Sequence, residues 1–251
     1  MAKSPTTEKV SSEISNALAR KNALRVGFWS AVFTTALAAA FFIIGILTPA
    51  RSGPFCSSSC IPYPYESGLA SFVPIDYIWL YPGILLAPTF AVLLISVHQI
   101  APIEKKIFSE IAVSFALIYA VTIVINYFTQ LVVIAPSISA GETSGLSLFS
   151  QYNPHGFFIG LEGLAYFMMS TAFLSLAPVF ADGKRLQRTL RWLFIGSFLL
   201  VASAFVAFSL LKYDIVSFEV TILLINWIVL ISSGGLLAYL FKSSWWKTVR
   251  A

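Results

Sequence analysis

An all-α, polytopic integral membrane protein of six transmembrane helices, with the N-terminus and the C-terminus cytoplasmic, is predicted by three observations. Hydrophobic residues make up 58% of the 251-residue chain and charged residues only 11%, with mean hydropathy +0.84. A water-soluble domain is closer to half apolar and a quarter charged, so a soluble fold is excluded. Six apolar segments of roughly 20 residues or more recur along the chain, each long enough to cross a bilayer core. The basic residues are sorted to alternate connections, and this sets the orientation.

Residues 1–24 form a polar tail of mixed charge. Val10, Ile14, Ala17 and Leu18 recur at helical spacing, so the tail is read either as a short amphipathic helix on the membrane surface or as a partly unstructured segment. The spans are placed at about 26–47, 77–97, 107–134, 156–180, 192–211 and 216–241. A cytoplasmic tail, 242–251, closes a single transmembrane domain. Between the first two spans lies a Pro/Ser/Gly-rich loop, 48–76, and a Ser/Gly loop covers 135–155. Trp79 and Tyr81 at the start of the second span fit an interfacial aromatic belt.

All of the 16 Lys/Arg except Arg51 and Lys212 fall before span one, after span two, after span four or after span six. Both termini therefore face the cytoplasm, and loop 48–76 faces outside. The formal charge of +5 and pI near 9.2 do not point to nucleic acid, because the charges separate apolar segments and form no single basic face. The expected location is a bacterial or archaeal cytoplasmic membrane, with the lipid bilayer as the first partner. In an outside loop Cys56 and Cys60, four residues apart, favour an intrachain disulfide. Two cysteines without a neighbouring histidine make a poor metal set, so no metal and no cofactor is expected.

The polar residues inside the spans are the candidates for function. Asn126, Tyr127 and Gln130 lie in the third span, and Asn126 and Gln130 share one helix face. Glu162 and Tyr166 lie in the fourth span, with His155 at its start; Asn226 lies in the sixth. A carboxylate within a span is costly and usually faces a protein interior. At a rise of 1.5 Å per residue, Glu162 lies roughly 9 Å, Gln130 about 6 Å, Asn126 about 12 Å and Asn226 about 15 Å from the outer ends. The polar positions thus gather in the outer half. This predicts a pocket between spans two, three, four and six, with Trp79, Tyr81, Asn126, Tyr127, Gln130, Glu162 and Tyr166 on its walls and His155 and Asn226 nearby.

Such a pocket would bind, and move or sense, a small amphipathic or lipid-like molecule. Two other readings remain open. One is an intramembrane enzyme using Glu162 as general acid/base with His155 or Tyr166 assisting. The other is an accessory subunit that meets a partner through a small-residue stripe, Gly156, Gly160 and Gly163. For Asn126, Gln130 and Asn226 taken singly, bonding to a neighbouring helix is the plainer role. The chain has no His-Glu-x-x-His, no phosphate-binding glycine loop and no dinucleotide fingerprint, so the common soluble catalytic motifs offer no alternative.

Overall fold

The computed structural model describes residues 7–211 and 214–250 and is all-helical. Six of its helices are long and apolar enough to cross a membrane. They are α1 (Thr7–Leu47), α2 (Leu80–Ile100), α3 (Lys106–Thr129), α4 (Phe157–Leu176), α5 (Arg185–Leu211) and α6 (Ile215–Arg250). Helices are the expected solution in lipid, because each satisfies its own backbone polar groups. Their outward faces carry Ile43, Leu85, Ile118, Ile125, Leu199 and Leu210, all exposed; an apolar surface of that extent belongs against acyl chains.

Several boundaries differ from the sequence reading. The polar stretch before the first span is not a separate element: from Thr7 onward it belongs to the same helix as the span. The third span does not stop at 134. A π-helical turn, Gln130–Ile134, and a last α turn, Ala135–Ser139, prolong α3. Pro136 is tolerated because it falls just after the wide turn, within the first turn of the new segment, where its missing N–H breaks no bond. The helix then ends in a Schellman motif. The Gly141 and Glu142 amides donate to the Ile138 and Ser137 carbonyls, and Gly141 takes φ 79°, a conformation that glycine adopts without penalty. The fifth span starts seven residues before Trp192, at Arg185. Its Lys/Arg/Gln-rich approach contains no Gly or Pro after Gly183 and is made of good helix formers.

Position in the bundle follows from composition. The α4 window is the least apolar of the six, at mean hydropathy 1.5, and the most enclosed, with 50% of its residues buried. The α5 window has hydropathy 2.3 and only 17% buried. Thus α4 is the central helix and α5 a peripheral one with most of its apolar surface uncovered by the rest of the bundle. The central helix packs against α3, α5 and α6, while α1 packs along α2 and α6.

Glycines mark two close approaches between helices. A Cβ on Gly83 would stand 2.4 Å from the Tyr127 ring, and one on Gly234 would stand 2.3 Å from Thr35 Oγ1. The Ser232–Gly235 run, a bend or close-contact point by its sequence, is thus a close-contact point between α6 and α1. The stripe Gly156–Gly160–Gly163 is not one continuous surface. Gly156 and Gly163 are buried while Gly160 is exposed, and no atom comes within 4 Å of a Cβ placed at Gly160. Gly156 instead seats the carbonyl of Leu148.

Candidate functional site

At the end of the bundle opposite the termini, a cleft of about 480 Å³ lies between the end of α1, the starts of α4 and α6, and the two long loops. Its wall is built by short-range chemistry first. Loop 48–76 is an ordered piece, pinned by the Cys56–Cys60 disulfide and by a hydrogen bond from the Ile61 amide to the Arg51 carbonyl at 2.8 Å. Two short 3-10 turns, Leu69–Phe72 and Ile75–Tyr77, lead the chain into α2.

Across this loop Arg51 donates twice to Asp76, Nε to Oδ2 at 2.8 Å and Nη2 to Oδ1 at 3.1 Å. The guanidinium also lies over the Phe72 ring, 4.0 Å from its centroid. Asp76 is 2% exposed and the Arg51 side chain 15%, so the pair is largely dry and each charge depends on the other. The hydrogen bond to Asp76 raises the Arg51 guanidinium above its ordinary value. The second loop closes over the first: Gln151 Nε2 donates to the Asp76 carbonyl at 3.2 Å, and Ser147 donates to the Pro64 carbonyl. Burial pushes the Tyr152 phenol well up, so it stays a neutral hydroxyl in the cleft wall.

Deeper in, two carboxyls meet. Glu162 on α4 is 1% exposed and Glu219 on α6 is 7% exposed; both line the cleft and lie within hydrogen-bonding reach of each other. The Tyr127 hydroxyl of α3 donates to Glu162 Oε1. Tyr127 is itself held in an aromatic cluster, stacked on Phe158 with centroids 5.8 Å apart and edge-on to Trp79 at 5.5 Å. Phe41 of α1 stacks on Trp79 at 5.5 Å and meets Trp227 edge-on at 4.9 Å. Trp227 Nε1 donates to the Tyr166 hydroxyl at 3.3 Å, fixing the indole.

The residues singled out from the sequence separate into three groups. Glu162 and Trp79 line the cleft; Tyr127 and Tyr166 stand behind that wall, bonded to Glu162 and Trp227. Asn126, Gln130 and Asn226 do not share the cleft. Asn126 Nδ2 donates to the Phe158 carbonyl at 2.9 Å, joining α3 to α4. Gln130 is turned by the π-helical turn toward the second loop, where it donates to the Phe149 carbonyl at 2.6 Å and accepts from the Gln151 amide at 3.2 Å. Asn226 accepts from Ser170 Oγ at 2.9 Å and donates to the Ile222 carbonyl at 2.8 Å. Each has its polar atoms occupied at a helix or loop contact, the role that costs least in a membrane.

Tyr81 and His155 point elsewhere. Tyr81 is 58% exposed on the outer surface of α2. His155 is exposed, and its amide donates to Asn153 Oδ1 at 2.9 Å, an Asx turn that starts α4. The pocket expected between spans two, three, four and six therefore lies instead between α1, α4, α6 and the loops, because aromatic rings fill the space between α2 and α3. Glu219, Arg51, Asp76 and Trp227 belong to the cleft but were not among the candidates. Their sequence signal was a second carboxyl near the loop end of another span, and one lone basic residue in the first long loop.

No group of three or more His, Cys, Asp or Glu side chains arranged to hold a metal ion occurs among the described residues. The chain matches no protein-family model, no curated protein and no solved structure.

Proposed function

We propose that the protein is a six-span protein of a bacterial or archaeal cytoplasmic membrane. Both termini lie in the cytoplasm, and the cleft opens in the outer half of the bundle to bind, and move or sense, a small amphipathic or lipid-like molecule. The orientation rests on the sorting of basic residues described above, and a Cys56–Cys60 disulfide fits the oxidising side. One observation carries the binding role: a 480 Å³ cleft holds a carboxyl pair beside two indoles. Ligand sites of small molecules have this character, of mainly apolar lining with a few convergent polar groups and some hundreds of Å³ of space. Val216, Val220, Leu223 and Leu224 supply area for a tail, and Glu162 supplies orientation.

The geometry gives less support to an enzyme in which His155 or Tyr166 assists Glu162. Tyr127 is the side chain that reaches Glu162, Tyr166 is engaged by Trp227, and His155 lies outside the cleft. The binding reading is tested by photolabelling the full chain in nanodiscs with an aliphatic diazirine probe. Adducts are expected on the cleft segments around 151–154 and 216–224. They should disappear in Val220→Trp, which fills the cleft, while labelling of lipid-facing α5 persists. Labelling of both regions that is indifferent to Val220→Trp removes the binding role.

A further inference from the structure

We infer that the molecule taken up by this cleft carries a cationic head, an amine or quaternary ammonium on an apolar tail, seated between the Glu162 and Glu219 carboxyls and the indoles of Trp79 and Trp227. The inference rests on the cleft being a ligand site and adds the chemistry of the ligand.

The charge inventory of the cleft is the first argument. Among the described residues its lining contains one cation, Arg51, and three acids, Asp76, Glu162 and Glu219. Arg51 is committed to Asp76 through two hydrogen bonds, which leaves Glu162 and Glu219 with no cation among the described residues. Among the described residues the other ion pair, Lys105 with Asp182, lies in the connections at the opposite end. Glu219 is the more exceptional of the two. It is 93% buried, on the complement of its 7% exposure, and its polar neighbour among the described residues is the Glu162 carboxyl. Glu162 at least accepts from Tyr127. Two carboxyls side by side away from water do not both stay ionised: they share a proton and together hold at most one negative charge. A cation entering the cleft would take the place of that proton and pair with both carboxyls.

The aromatic walls are the second, independent argument. Indole faces attract cations more strongly than other side chains do, and the attraction grows when water is excluded. Trp79 and Trp227 both line the cleft, and both are braced on Phe41, so their orientation is set before anything binds. An anionic head finds no such welcome, since the lone guanidinium is already bonded on two sides. The volume of about 480 Å³ is in the range of small-molecule sites, and smaller than the space a two-chain lipid fills.

The test uses the full chain in a neutral maltoside detergent and three probes with the same tail: 4-phenylbutylamine, 4-phenylbutanol and 4-phenylbutyrate. Binding is read by calorimetry and by the fluorescence of the cleft tryptophans. The amine should bind about tenfold or more tighter than the alcohol, as hydrogen bonds to charged groups outweigh neutral ones, and the carboxylate should bind weakest. Glu219→Gln should remove the preference for the amine over the alcohol, and Glu219→Asp should keep most of it. Equal affinity of amine and alcohol for the unaltered chain, or a preference for the carboxylate, overturns the cationic head and leaves a binding cleft standing. Saturable binding of none of the three removes the ligand-site reading itself. The comparison of probes on the unaltered chain is independent of whether any variant folds.

Discussion

The two ends of the bundle are held together by different physics. At the end that carries the long loops, polar groups cross between elements: Asn126 to the Phe158 carbonyl, Gln130 to the second loop, Tyr127 to Glu162 and Arg51 to Asp76. At the end that carries the termini, packing is aromatic and aliphatic. Phe173 stacks on Phe194 with centroids 4.8 Å apart, Phe90 meets Tyr119 and Phe173 edge-on at 5.5 Å and 5.4 Å, and Phe180 closes on Phe194 at 5.9 Å. Among the described residues, the polar side-chain links between elements there include His98 Nδ1, 2.9 Å from Ser109 Oγ, and Lys105 with Asp182 at the surface. A dry, ring-packed end is a platform. A hydrogen-bonded end with a gap in it can hold something, and its gap contains two carboxyls, Glu162 and Glu219, that no basic side chain among the described residues meets.

The comparison can be broken by substitution. The largest loss is expected from Phe173→Ala at the terminal end, about 3–5 kcal/mol, because a large buried ring leaves a cavity. Thermal unfolding in detergent should register it, while probe affinity in the folded fraction stays unchanged. A loss of binding with stability intact would erase the division of labour between the two ends.

Next in size is Arg51→Gln, which strands Asp76 in a dry wall; roughly 3–5 kcal/mol is expected for a buried pair broken on one side. Arg51→Met combined with Asp76→Leu should recover much of that, since apolar replacement of both partners is often close to neutral. If the double variant is no better than the single one, the pair does more than balance its own charges.

Gly83→Ala should cost about 1–3 kcal/mol as an overpacked contact. The new methyl meets the Tyr127 ring at 2.4 Å, so the damage should reach the hydroxyl that bonds Glu162. Weakened amine binding along with a lower melting temperature is the expected pattern.

Asn126→Ala should cost about 0.6–2 kcal/mol, the ordinary range of a hydrogen bond between membrane helices, and leave probe binding nearly intact. A binding defect as large as that of Glu162→Gln would return Asn126 to the cleft, against its present position.

The smallest effect is expected at the surface pair. Lys105, by hydrogen bond and then by charge, holds the Asp182 carboxyl below its ordinary value of 3.8. With a folded value below the unfolded one, the contribution of Asp182 is present above about 3.8 and fades as pH falls through the lowered value. Asp182→Asn should therefore lower melting only slightly at neutral pH, the pair being exposed, and the difference should vanish as pH falls through the lowered value. A large change at neutral pH would show that the terminal end leans on charge after all.

Much of this architecture is legible in the sequence, because a bilayer imposes a length and a hydropathy that local composition must meet. Six apolar windows and the gathering of polar residues toward one end required no tertiary information. Boundaries failed where local and long-range demands diverged. The Pro-Ser-Ile-Ser stretch after Ile134 has the composition of a loop but extends a helix, because the π-helical turn makes room for Pro136. The candidate site was legible in its depth and in its central carboxylate, Glu162. It was not legible in its membership, since Asn126 and Gln130 share a face with the right depth and still turn to a carbonyl and a loop.

What the sequence by itself determined is a six-helix membrane protein, the side of the bundle where polar chemistry collects, and Glu162 as a residue needing a protein environment. Those follow from transfer energies, which depend on residue type and sequence position alone. What only the tertiary structure decided is the pairing of Glu162 with Glu219, 57 positions apart, the commitment of Arg51 to Asp76, and the placing of the cleft beside α1. Those depend on which helix faces meet. Side-chain volumes settle that question collectively, with Gly83 admitting Tyr127 and Phe41 bracing both tryptophans, and no single position in the sequence carries it.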